Sequence, residues 1–148
     1  MKKLGNQGVT VIELMVLVVI ICILSALIIS THAGIAEKER NDTRQQDISE
    51  IRDELEVYYT QYNKYPTLSE LNDSMWRTKY MKGLDESVLQ DPSSQSNTIV
   101  SKPAKDVYAY TVTAASGKAC DNIKTICTQY TLTATLEGGG TYVKNNLN

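Results

Sequence analysis

From Val9 to Ile29 the chain reads VTVIELMVLVVIICILSALII, an apolar run whose one charge is Glu13. As a helix this stretch would be roughly 32 Å long at about 1.5 Å per residue, which matches a bilayer hydrocarbon core of about 30 Å. The predicted element is therefore a membrane-spanning helix. Lys2 and Lys3 precede it, and the basic flank of a span stays in the cytoplasm, so the bulk of the chain is expected outside. A carboxylate inside such a segment costs about 2.5 to 3.5 kcal/mol on insertion scales and is kept for a reason, usually with a partner. The alternative is a secretory signal peptide cut after Thr31-His32-Ala33. Its apolar region would exceed the usual length of about 7 to 15 residues and would contain Glu13, and Thr31 is a mediocre residue at that place before a cut.

The short leader with Lys2 and Lys3, ending in Gly8 and followed by Val9-Thr10-Val11-Ile12-Glu13-Leu14 and the apolar run, resembles the class III signal sequence of type IV pilins and pseudopilins. The resemblance implies that a prepilin peptidase cuts between Gly8 and Val9 and methylates the new amino group of Val9. It further implies that residues 1–8 are leader, 9–34 a transmembrane and filament-core helix, 35–62 the amphipathic half of the same helix, and 63–148 a globular domain. Val9 stands where phenylalanine is common in the family, and no proline occurs near Ser30, so any bend or local melting is expected around Gly34.

Within that reading Glu13 is the assembly residue. In a filament the apolar helices would bundle into a dry core, where the α-amino cation of Val9 in one subunit and the Glu13 anion of its neighbour attract far more strongly than in water. Such a buried pair adds little net stability, but removing one partner costs about 3 to 5 kcal/mol. Glu13 therefore sets register.

Three cysteines divide into Cys22, read as a small apolar residue of the span, and Cys120 with Cys127 in the exported part. Two nearby cysteines outside a membrane favour a disulfide, the alternative being two free thiols. The lone histidine, His32, has no nucleophile, base or ligand cluster beside it, so no enzyme, metal site or cofactor is expected. The formal charge is −2, and removing Lys2 and Lys3 with the leader lowers the side-chain sum to −4, which gives no general attraction to nucleic acid.

Beyond the strongly polar stretch Glu37 to Asp47, Ile48, Ile51, Leu55, Tyr58, Tyr59 and Tyr62 recur mostly at steps of three and four, the period of one helix face. Arg52 and Glu56 form a possible i to i+4 pair on another side. Asn63-Lys64-Tyr65-Pro66 is expected to stop the helix after Tyr62, because the residue before proline is pushed out of the α region, and Thr67-Leu68-Ser69-Glu70 has capping-box spacing for a short helix through about Asn72. Residues 93–101 read as exposed and polar. Alternation then predicts strands carrying Tyr108, Tyr110, Val112 and Ala114, and Tyr130, Leu132, Ala134 and Leu136, with a third strand after Gly138-Gly139-Gly140. The fold class is α+β: a long N-terminal helix packed on a small antiparallel sheet.

The layout of Tyr65-Pro66, Asp91-Pro92 and a Tyr-x-Tyr strand is similar to pilins close to the major pseudopilin of type II secretion. That family binds calcium near the C-terminus, but Leu136 to Asn148 offers Glu137 and neutral groups, so no metal is carried over. The expected function is a structural pilin of a type IV pilus-like filament. The alternatives are a pseudopilin of a secretion or DNA-uptake system, and a monomeric membrane-anchored binding protein. Expected partners are copies of itself, the prepilin peptidase, the assembly platform with its ATPase, and the cytoplasmic membrane before assembly; the assembled filament would be extracellular.

Overall fold

The computed structural model describes residues 9–147, with the backbone alone for 27–33. Gly8 and the leader lie outside the described residues, as do the side chains of Thr31, His32 and Ala33. The chain divides into two compact units, Met1–Ala36 and Glu37–Asn148, and α1 (Val11–Tyr62) contributes to both.

In the first unit α1 begins after Thr10, whose hydroxyl accepts from the Glu13 N–H at 3.3 Å and whose carbonyl accepts from the Leu14 N–H at 3.2 Å. Ser25 donates its hydroxyl to the Ile21 carbonyl at 2.7 Å, so this polar group is satisfied inside the helix. Gly34 is helical, and no local melting occurs there. A single glycine costs only about 1 kcal/mol in a helix interior, too little to break one. Among the described residues no helix is long and apolar enough to cross a membrane, so the expected span is not supported by the structure.

The second unit is α+β. Ile48, Ile51, Leu55 and Tyr58 of α1 are at most 4% exposed and share one core with the sheet residues Tyr108, Tyr110, Tyr130, Leu132 and Ala134. Polar groups tie the same layers together. Tyr108 donates its hydroxyl to Asp47 at 2.6 Å, and Tyr130 donates to Glu56 at 2.8 Å. Burial, the larger effect, pushes both phenols above their ordinary range.

α1 ends where Asn63 takes a left-handed conformation (φ 52°) and its N–H reaches the Tyr59 carbonyl at 2.8 Å. The stop is thus an asparagine cap, set three residues before Pro66. The expected pair of Arg52 with Glu56 does not form. Arg52 bonds its neighbour Asp53, because the Glu56 carboxylate is already held by the hydroxyls of Tyr65 and Tyr130.

α2 (Leu68–Asn72) carries the complete capping box between Thr67 and Glu70. α3 (Ser74–Tyr80) follows at once, with the Asp73 carboxylate accepting from the N–H groups of Met75 and Trp76. A 3-10 turn, Glu86–Leu89, buries Val88 and Leu89.

β1 (Tyr108–Thr113), β2 (Gln129–Thr135) and β3 (Thr141–Asn145) form an antiparallel sheet in that order, with Tyr110 opposite Leu132 and Ala134 opposite Tyr142. Besides the face that carries Tyr108, Tyr110, Leu132 and Ala134, Ala109 and its partner Thr133 on the other face are also buried. The chain from Val100 to Asp106 accounts for this. Val100 bridges to Ala109, Thr111 donates to the Ser101 carbonyl at 2.9 Å, and Thr135 donates to the Ala104 carbonyl at 3.1 Å. Ile99, inside the stretch expected to be exposed, is 1% exposed, held by two hydrogen bonds between its backbone and the Asn72 amide.

Candidate functional site: an apolar helix and a buried ionic clamp

Between Val11 and Leu24 the large apolar side chains of α1 are 48 to 76% exposed. An apolar surface running all round a helix is stable only when something covers it, either lipid or other helices. Glu13 is placed in the first turn of this helix, where the aligned peptide dipoles favour a carboxylate. Its carboxylate has no hydrogen-bond or ion-pair partner among the described residues. Val9, 70% exposed, lies one turn away in sequence. Chemically, the arrangement offers one oriented anion on an otherwise apolar rod. Thr10, which fixes the backbone of Glu13, lies outside the expectations from sequence, although Thr10-x-x-Glu13 has the same spacing as Thr67-x-x-Glu70.

Another group missed in the sequence is a buried ionic clamp in the second unit. Arg44 and Asp91 are 0% and 1% exposed and pair in bidentate fashion, Nε to Oδ2 at 2.7 Å and Nη2 to Oδ1 at 2.9 Å. The remaining Arg44 protons reach Ser93 at 2.9 Å, Asn41 at 3.0 Å and Glu137 at 3.0 Å. The Asp91 hydrogen bonds hold the Arg44 guanidinium well above its ordinary range. Arg40 also pairs with Glu137, and the Asn41 amide both donates to the Glu137 carbonyl and accepts its N–H. The turn between β2 and β3 is thereby pinned to α1. Among the described residues no cluster could hold a metal ion.

Hydrogen bonds from Arg40, then from Arg44, hold the Glu137 carboxyl down at about 2. A free glutamate titrates near about 4.3, so the folded protein binds this proton more weakly than the unfolded chain. The stabilising contribution is therefore complete above about pH 4.5 and is lost as pH falls toward about 2. On acidification through that window, the thermal midpoint of Glu137→Gln should fall less than that of the native protein. Parallel curves for the two would remove Glu137 from the acid transition.

Cys120 and Cys127 are bonded, with their Cα atoms 5.2 Å apart. The bond closes a loop ordered from within. Asp121 accepts N–H groups of Thr125, Ile123 and Lys124 at 2.7 to 3.0 Å, which lowers its carboxyl below the usual range. Asn122 donates to the Tyr65 carbonyl at 2.8 Å and joins the loop to the segment that follows α1. For so short a loop the bond is worth about 2 to 3 kcal/mol.

The chain is 32% identical over 75 residues to "Type II secretion system core protein G" of Aeromonas hydrophila, a stretch covering 51% of this chain and 52% of that protein. It spans about half the length of the curated relative it matches. No family model matches the chain, and no solved structure matches it.

Proposed function

We propose that the chain is a pilin-like filament subunit that polymerises through its apolar N-terminal helix. The observation carrying this reading is the exposed apolar surface from Val11 to Leu24 with Glu13, which has no partner among the described residues, in its first turn. Before assembly that surface is covered by the cytoplasmic membrane, the chain standing as a single-span protein; afterwards it is covered by the same helices of neighbouring copies. The match to a protein named for type II secretion favours the pseudopilin form, a short filament of a secretion machine, over a long surface pilus. The role is structural and not enzymatic. A prepilin peptidase, an assembly platform and its ATPase are the partners this reading requires.

The reading makes the amino group of Val9 the counter-charge of Glu13, so the leader must be gone in the working subunit. Mass spectrometry of protein from membranes and from sheared filaments should find a chain starting at Val9 with one added methyl group. A start at Met1, or at Gly34 after a signal-peptidase cut, would remove the charge that Glu13 needs and overturn the proposal.

A further inference from the structure

A second constellation lies in the unit Glu37–Asn148, between α1 and the stretch from α3 to Gly83. An open groove of about 350 Å³ is lined there by Glu54, Gln61, Tyr62, Lys79, Tyr80 and Lys82. Its aromatic wall is braced from behind. Tyr58 packs on Tyr62 with centroids 4.5 Å apart and on Trp76 at 5.2 Å, and Trp76 packs on Tyr80 at 5.1 Å. Tyr62 and Tyr80 meet nearly at right angles, 84°, at 5.7 Å. Because Tyr58 is 4% exposed while Tyr62 is 42% exposed, the quartet is rooted in the core and still presents ring surface to solvent.

At the opposite corner the Glu54 carboxylate lies against the bare backbone of Gly83, where an added Cβ would make it swing aside. Glu54, Gln61, Lys82 and the hydroxyls of Tyr62 and Tyr80 have no hydrogen-bond or ion-pair partner among the described residues. Lys79 stands over the Tyr80 ring at 4.9 Å.

The ligand class follows by elimination. An anion drawn by Lys79 and Lys82 would meet the Glu54 carboxylate, and a cation drawn by Glu54 would meet both ammonium groups and find the Tyr80 face taken. An apolar ligand would strip water from three charges without replacing it. A nucleic-acid strand would bring phosphates beside the carboxylates of Asp53 and Glu54. A neutral pyranose meets none of these objections. Its flat C–H face packs on the exposed Tyr62 ring, and its hydroxyls both donate and accept, serving carboxylate, amide and ammonium together. The locked rings lower the ordering cost of binding. We propose that this groove binds a neutral pyranose unit of a polysaccharide. Binding of this kind is independent of filament assembly.

The full chain, held in a zwitterionic detergent without a sugar head group, is applied to an array of neutral, N-acetylated and acidic oligosaccharides. Retention on neutral or N-acetylated glycans is expected, and the same free glycan should change the fluorescence of Trp76, the single tryptophan, saturably. Tyr62→Ala and Glu54→Gln should each weaken that binding about tenfold without changing the near-ultraviolet circular dichroism. Should either variant fold poorly, Lys82→Ala at an exposed position reads the same groove and should also weaken binding. Retention of acidic glycans only, of none, or undiminished binding by the folded variants would overturn the proposal.

Discussion

Arg44→Met is expected to destabilise the unit Glu37–Asn148 by about 3 to 5 kcal/mol, a large part of what a small domain has. The cost comes less from the lost pair than from what is left behind. Asp91 would remain 1% exposed with its carboxylate facing an apolar side chain, keeping only the N–H of Ser93 at 2.8 Å. Glu137 would keep Arg40, and Ser93 would lose its guanidinium partner. Replacing both charges, as in Arg44→Met with Asp91→Leu, should recover much of the loss, because a buried ion pair and an apolar pair of similar volume are close in free energy. Urea titration of the full chain, followed through Trp76 fluorescence, reads both variants. A shift below about 1 kcal/mol for Arg44→Met would show that the clamp is not what holds the β2–β3 turn to α1.

That clamp also marks the limit of what the sequence disclosed. Ile48, Ile51, Leu55 and Tyr58 were legible as a core face because helix period alone puts them on one side. Tyr108, Tyr110, Tyr130, Leu132 and Ala134 were legible in the same way, by alternation. Arg44 carries no such local mark. It lies in a stretch of mixed charge, and its partners Asp91 and Glu137 are 47 and 93 residues away, so a solvated arginine and a fully buried one read alike. Burial of Ala109 and Thr133 escaped for a related reason, since it depends on where the chain from Val100 to Asp106 is laid, a tertiary outcome.

Other omissions left a visible signal. Asp73, placed directly after α2, caps the seven-residue α3, and Asp at a helix start is a strong local cue that the shortness of α3 masked. The end of α1 at Tyr62 was legible, although Asn63 makes it through its own tolerance of the left-handed region rather than through Pro66. For the apolar helix, Thr10 was readable from its spacing to Glu13, whereas the partner of Glu13 was not, because no residue of the same chain supplies one among those described.

Glu13→Ala is where the polymer and the monomeric anchor part. As a mere anchor, the protein would lose a charge that costs about 2.5 to 3.5 kcal/mol in a bilayer, so it should reach the membrane at least as well as the native chain. Its second unit, with the Cys120–Cys127 bond, contains nothing that depends on Glu13 and should fold normally. In a filament the same substitution strands the Val9 ammonium of a neighbouring subunit in a dry core, a cost of about 3 to 5 kcal/mol at every contact. Incorporation compounds that cost over many subunits, so filaments should be few or absent while membrane levels and disulfide formation stay normal. Thr10→Val, which removes the hydroxyl that orients the backbone of Glu13 but leaves the charge, should slow assembly much less. Counting filaments by electron microscopy in strains whose sole copy carries each substitution distinguishes these cases. Normal filament number and length with Glu13→Ala would leave the apolar helix as an anchor and end the case for charge-paired assembly.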